Sequence, residues 1–116
     1  MNRRAAERGG RRAEALAAMW LRLHGWRILG QRVRTPAGEV DLIARRWRTL
    51  AFVEVKARAS CEEAEQALDA HRLRRVVAAA EILSGRFARP GDTVRVDSVL
   101  IVPGRLPFHR RDIWRG

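Results

Sequence analysis

Apolar residues recur at helical spacing in two parts of the chain. In residues 12–24 they fall three and four positions apart, and Gly25 follows as a stop signal, which predicts a first helix. In residues 60–84 a second stripe, opened by a capping pattern at Ser60 and closed by Gly85, predicts a longer helix. Both stripes leave a polar face, so each helix is expected to pack one side against a core.

Shorter apolar runs predict strands between and after these helices. The runs "WRILGQRVR", "EVDLIAR" and "LAFVEVKAR" follow the first helix, "TVRVDSVLIV" follows the second, and the short tail after Pro103 predicts an edge strand. The fourth run is rich enough in Val to lie centrally in a sheet. The order therefore predicts an α/β fold, in which an antiparallel meander and a further central strand form a mixed β-sheet flanked by α-helices.

Charged residues interrupt two of these apolar runs. A hairpin centred between Trp47 and Arg48 would place Asp41 directly opposite Glu54, with about 5 Å between their Cβ atoms. Lys56 shares the strand face of Glu54, because side chains two residues apart point the same way. The turn "RWRT" lacks the Asn-Gly pair that fixes register, so this centre is a hypothesis.

The three charged side chains have two chemical interpretations. Two carboxylates on one face are hard ligands for Mg²⁺ or Mn²⁺, and such a metal can stabilise charge on a phosphorus centre and activate a water molecule. A lysine beside them can orient that water. The alternative is an ion-pair cluster, in which Lys56 alone offsets the repulsion between Asp41 and Glu54.

Composition and charge indicate which kind of partner the protein binds and in which cellular compartment it acts. The 116 residues suit one domain over 12–116, preceded by a flexible basic arm over 1–11. Lys plus Arg number 24 against 13 acids, and nearly all are Arg, so nucleic acid is the expected partner, unless the surface is merely Arg-rich. The sequence has one cysteine, Cys61, and shows no signal peptide and no membrane-spanning run. These features predict a cytoplasmic protein that does not bind membranes.

The segment "GEVDLIA", followed by "FVEVKAR", resembles the YraN family of the restriction-endonuclease-like superfamily, whose motif is PD-(D/E)xK. The resemblance extends from about Arg11 to the end, through "GGRRAEALAAMWLRLHGWRIL" ahead of the motif and "VRVDSVLI" behind it. It implies a nuclease-like fold, similar to that of Holliday-junction resolvases, in which a three-stranded meander carries the site. The motif has Val40 in place of its nominal proline.

The resemblance also implies roles for individual residues. Asp41 and Glu54 match the metal ligands, and Lys56 matches the lysine that helps activate water. Glu14 matches an acidic residue that related resolvases place near the metal, although a glutamate in the first turn of a helix is also favourable with the helix dipole. Glu39 would support the ligands without touching the metal.

Other polar residues are expected to line the site or to contact phosphate. Gln66 on the long helix could face the site or solvent. The family's usual lysine on that helix is replaced in "DAHRLRR", so phosphate contact is expected to pass to arginines. The residues expected to bind nucleic acid are Arg11, Arg12, Arg58, Arg72, Arg74 and Arg75. Asp97, next to Arg95 in "VRVD", is expected to be structural.

Three functions remain open at this point. The first is a metal-dependent nuclease that hydrolyses phosphodiester bonds in DNA. A small chain with no separate recognition domain is not expected to read a long sequence unless it forms a homodimer, so cleavage directed to branched or single-stranded forms is favoured. The second is a non-catalytic nucleic-acid-binding protein on the same scaffold. The third is a small basic subunit of a larger assembly. Trp47 at the hairpin tip and Trp114 in the tail are the tryptophans expected to make contacts, by stacking on bases.

Overall fold

Two helices and five strands make up the part of the chain that the computed structural model describes, residues 3–59 and 70–114. Neither described helix is long and apolar enough to cross a lipid bilayer. In chain order the elements are α1 (Arg3–Leu23), β1 (Arg27–Thr35), β2 (Gly38–Arg46), β3 (Thr49–Ala57), α2 (Ala70–Phe87), β4 (Thr93–Ile101) and β5 (Phe108–Arg110).

The five strands form a single mixed sheet in the order β1-β2-β3-β4-β5. The first three strands are an antiparallel meander, β3 and β4 are parallel, and β4 and β5 are antiparallel. A parallel pair needs a long crossover, which the chain between β3 and β4 supplies with α2. The predicted α/β fold is confirmed, with β4 inside the sheet and β5 at its edge.

The core lies in two layers because helices cover both faces of the sheet. On one side α1 packs against β2 and β3, and Leu21, Leu42 and Val53 are fully buried there. On the other side α2 packs against the opposite faces of the same strands, around Phe52 and Val76. β3 is therefore buried on both faces, which explains its near-continuous apolar sequence.

The structure corrects two helix boundaries. α1 begins at Arg3, so residues 3–11, predicted as a flexible arm, are helical. Their Ala, Glu and Arg residues favour a helix strongly enough to carry it through two glycines. α2 continues past Gly85 to Phe87, and Ala88 N still donates to Ser84 O at 2.8 Å. The start that was predicted at residue 60 lies outside the described residues.

The β2–β3 hairpin has the predicted register. Leu42 pairs with Val53, and the pairing continues to the turn at Trp47. The turn closes without an Asn-Gly pair because Trp47 itself adopts a φ of 56°, in the left-handed region. The pairing ends one position before Asp41 and Glu54, so these two residues lie where the strands begin to separate.

A buried carboxylate ties the C-terminal segment to the sheet. Asp97 on β4 is fully buried, and its oxygens lie 2.9 Å from Arg95 Nη2, 2.7 Å from His109 Nε2 and 2.8 Å from the backbone N of Asp112. Burial would raise the pKa of Asp97, but the hydrogen bonds outweigh burial and lower this pKa. These contacts agree with the structural role expected for Arg95 and Asp97.

Candidate active site

Asp41 lies where the β2–β3 pairing ends, and its side chain bonds there to the backbone of β3. Its Oδ2 accepts a hydrogen bond from Val55 N at 2.8 Å. Burial raises the pKa of Asp41 to about 6, against the lowering effect of this hydrogen bond, and the nearby charges of Glu14 and Glu54 raise it further. Such a carboxylate is held in place by the backbone but is costly to ionise without a cation.

Glu54 and Lys56 point from β3 towards α2, and each is only 3% exposed. Lys56 Nζ lies 3.9 Å from Glu54 Oε2, and Arg72 Nε of α2 lies 3.1 Å from Glu54 Oε1. The Arg72 contact lacks hydrogen-bond geometry, so Glu54 Oε1 is buried without a hydrogen bond from the described residues. Burial lowers the pKa of Lys56, although the Glu54 charge opposes this shift.

One small cavity lies between Asp41 and Glu54, and Lys56 is not among its lining residues. Its volume is about 190 Å³, and its lining is Glu39, Asp41, Glu54, Arg72, Arg75 and Val76. Three carboxylates and two guanidinium groups give the lining a formal charge of −1, which a divalent cation would convert to +1. The cavity therefore suits a cation first and then a phosphate group.

The donor set of this cavity fits Mg²⁺ or Mn²⁺. Both are hard cations that take carboxylate oxygens, and Mg²⁺ keeps several of its own waters, so two carboxylates are sufficient. The unbonded Glu54 Oε1 is an oxygen of the required kind. Within residues 3–59 and 70–114, no three or more His, Cys, Asp or Glu side chains gather into a complete metal cage.

A glycine allows α2 to reach the carboxylates. Gly38 opens β2 with a φ of 156°, and a Cβ atom at this position would lie 3.3 Å from Arg75 O. Any larger residue would press against the helix backbone. The absence of a side chain at Gly38 therefore lets Arg72 and Arg75 stand over Asp41 and Glu54.

Glu14 lies beside the cavity but outside it, in contact with a residue that the sequence did not suggest. Its Oε2 lies 2.6 Å from Arg32 Nε, and both line a neighbouring cavity of about 480 Å³ with Arg11, Arg34 and Glu39. Arg32 has a φ of 50°, which interrupts the regular strand. No pattern in β1 signals this conformation, so the Arg32–Glu14 pair could not be predicted.

The remaining predicted residues are dispersed. Arg12 and Arg58 line a third cavity with Leu16 and Pro103, in which Asp41 and Glu54 take no part. Arg74 is exposed on α2. Gln66 lies outside the described residues, so its predicted role stays a prediction.

Lys56 has a property that the motif alone does not convey, because it is the only lysine in the 116-residue chain. All other basic side chains except the three histidines are arginines. A buried lysine can lose its proton near neutral pH, whereas an arginine stays charged. The single lysine therefore stands at a buried position, where an ammonium group can lose its proton and a guanidinium group cannot.

Comparison of the sequence with known families gives a consistent result. The family described as "Uncharacterised protein family UPF0102" matches residues 13–101. A UPF0102 protein of Sphingopyxis alaskensis is 60% identical over 115 residues, which are 99% of this chain and 99% of that protein. Another, from Erythrobacter litoralis, is 49% identical, also over 99% of both chains.

Among solved structures, the fold is similar to that of Archaeoglobus fulgidus Hjc, a Holliday junction resolvase. The TM-score is 0.51, and the match covers 86% of this chain and 73% of Hjc at 21% sequence identity. At this identity the likeness concerns the fold. It confirms the restriction-endonuclease-like fold that the motif implies.

Proposed function

This chain belongs to the UPF0102 family, and from that premise we propose that it is a metal-dependent nuclease that hydrolyses phosphodiester bonds in DNA. The observation that carries the proposal is the meeting of Asp41 and Glu54 at one cavity, with buried Lys56 3.9 Å from Glu54. Glu54 Oε1 forms an ion pair with Arg72 but accepts no hydrogen bond from the described residues, which leaves this oxygen able to bind a cation.

Asp41 and Glu54 would hold the metal, Mg²⁺ or Mn²⁺. When bound, such an ion stabilises the negative charge that develops on the phosphoryl group and lowers the pKa of a coordinated water. Glu39, which lines the same cavity, would support the ligands from outside the coordination sphere. Glu14 would act through its pair with Arg32, at the border of the site.

Lys56 would orient the attacking water and offset negative charge at the phosphate. Its lowered pKa brings the ammonium group nearer to proton exchange at neutral pH. Arg72 and Arg75 would bind the phosphate oxygens from the opposite wall of the cavity. Each residue thus has a task that matches its burial and its charge.

Arg72 is expected to compete with the metal for Glu54. Because the guanidinium group lies 3.1 Å from Glu54 Oε1 and is about half exposed, the Arg72→Gln substitution should strengthen Mn²⁺ binding by up to about fivefold. The same substitution should weaken DNA binding, since a phosphate contact is lost. Calorimetric titration with Mn²⁺, with Arg74→Gln on the same helix as control, measures the effect. Weaker Mn²⁺ binding by Arg72→Gln would contradict the competition.

We propose branched or single-stranded DNA as the substrate. The described residues form one five-stranded sheet with two helices, and their fold is similar to that of a Holliday junction resolvase. Paired cuts across a symmetric junction need two active sites, so a homodimer is the proposed assembly. We propose the cytoplasm as the compartment in which it acts.

The decisive experiment is cleavage of labelled single-stranded, duplex, flap and four-way-junction DNA with Mg²⁺, with Mn²⁺ and with EDTA. Metal-dependent cutting of a branched or single-stranded form is the expected result. The alternative function, a non-catalytic nucleic-acid-binding protein, is favoured by the net charge of +11. Binding with a steep salt dependence, and no cutting in any metal, would establish this alternative.

A further inference from the structure

The tip of the β2–β3 hairpin presents an aromatic ring to solvent. Trp47 is 86% exposed, although tryptophan is usually one of the more buried residues in a folded protein. Arg48 Cζ lies 5.7 Å from the centre of its ring, within cation–π range. The ring and the guanidinium group therefore form one exposed unit at the tip.

The backbone beneath this ring is held rigidly. Buried Arg45 forms two bonds with Asp92, at 3.0 and 2.6 Å, and also donates to Phe87 O at 3.1 Å and to Trp47 O at 3.3 Å. The bonds from Arg45 lower the pKa of Asp92 to about 2, so the pair stays ionised at all ordinary pH values. Thr93 N donates to the carbonyl of Arg48 at 2.8 Å. The tip is thus tied to the end of α2 and the start of β4.

Stability does not explain a tryptophan at this position. Its φ of 56° lies in a region that favours glycine or asparagine in a two-residue hairpin turn. The exposed ring gains little from packing to offset that strain. A strained and exposed aromatic residue on a rigid support points to a ligand.

We propose that Trp47 and Arg48 form a second nucleic-acid contact, in which the indole ring stacks on an unpaired base and Arg48 binds the adjoining phosphate. Base stacking suits this ring because Arg48 supplies a cation beside it, whereas the guanidinium group of Arg46 lies over Trp26. The proposal rests on nucleic acid being the ligand of the proposed nuclease, but it does not require cleavage.

This contact is remote from the carboxylates. Trp47 lies six positions after Asp41, which corresponds to about 20 Å along a strand. At about 3.4 Å per nucleotide, the spacing along one strand of B-form DNA, a stacked strand bound at Asp41 reaches the tip after roughly six nucleotides. The two contacts together would select DNA in which an unpaired segment lies at this distance from the cut.

The test uses binding in EDTA, where no cutting occurs. Fluorescence anisotropy of a labelled single-stranded oligonucleotide and of its blunt duplex is measured for wild type, Trp47→Gly and Trp47→Phe. Leu23→Ala is the matched control, because Leu23 is also exposed, at 75%, but lies on α1. Quenching of tryptophan emission by unlabelled oligonucleotide, compared between wild type and Trp47→Phe, reports stacking on this ring directly.

Trp47→Gly is expected to weaken single-strand binding about tenfold and to leave duplex binding almost unchanged. Its thermal midpoint should not fall, since glycine accepts this φ. Trp47→Phe should keep most of the affinity but lose the quenching. Equal binding by Trp47→Gly and wild type, equal losses on both DNA forms, or an effect on self-association alone would overturn the proposal. Absence of cleavage with intact Trp47-dependent binding would instead count against the nuclease only.

Discussion

Asp41→Asn is expected to abolish metal-dependent DNA cleavage while making the metal-free protein more stable. A metal that loses one of two protein ligands no longer stabilises the phosphoryl charge, a loss of several kcal/mol and at least about a thousandfold in rate. The fold should persist, because the amide oxygen of asparagine can still accept the hydrogen bond from Val55 N. Loss of activity would then not be a loss of structure.

The gain in stability follows from the raised pKa of Asp41, about 6 in the folded protein against 3.8 when unperturbed. Between these values the folded state binds more protons than the unfolded state, so stability falls as pH rises from about 4 to 6. Above pH 6 the full cost of the buried charge is present. Asp41→Asn removes that cost, and we expect a stabilisation on the order of 1–3 kcal/mol at neutral pH that disappears below about pH 4.

Both effects can be measured on one preparation. Cleavage rates are compared with those of Glu81→Gln, a carboxylate substitution on the exposed part of α2, and stability is measured by urea unfolding at pH 7 and pH 4. Lys56→Arg completes the set, since it keeps the charge and should still lose most activity. Equal cutting by Asp41→Asn and wild type would indicate a contaminating nuclease and remove the basis for this site.

Asp97→Ala is expected to have the largest effect on stability, a loss of about 3–5 kcal/mol, because it leaves Arg95 and its neighbours without their buried partner. The substitution removes contacts to Arg95, to His109 and to the backbone of Asp112 at once. It should therefore release β5 and the following residues from the sheet. The free energy of unfolding in urea measures the loss.

The pH dependence of Asp97 has the opposite sign to that of Asp41. Its pKa is lowered in the folded state, so its contribution is complete above the unperturbed value of 3.8 and is lost as pH falls through the folded value. Wild type and Asp97→Ala should converge in stability in strong acid. Arg95→Ala and the double variant supply the control: if the two losses simply add, the pair is not coupled and the assignment fails.

Local sequence rules were sufficient where neighbouring residues decide the structure. The alternation in β3, with apolar residues on both faces, predicted that Glu54 and Lys56 share one face. The centre of the hairpin was a hypothesis, because its turn lacks an Asn-Gly pair, and the observed register confirms it. The predicted register thus placed Asp41 near Glu54, and both line one cavity.

Tertiary effects decided what the sequence did not reveal. Arg32 reaches Glu14 only because its backbone leaves the strand conformation, and β-strand propensity carries no sign of this. The contact of Arg72 with Glu54 depends on how closely α2 approaches Gly38, which is a property of packing. α1 begins earlier than predicted because its helix-forming residues outweigh the glycines at 9 and 10.

The single lysine gives this protein a built-in reporter of unfolding. A protease that cuts only after lysine has one target bond in the whole chain, between Lys56 and Ala57. That bond belongs to β3, where both residues are paired with β4, so cutting requires the strand to leave the sheet. Digestion by such an enzyme should therefore follow the population of the opened state and not the fraying of surface segments. Resistance should rise in Asp41→Asn and fall in Asp97→Ala, which can be followed on a gel without labelling the protein.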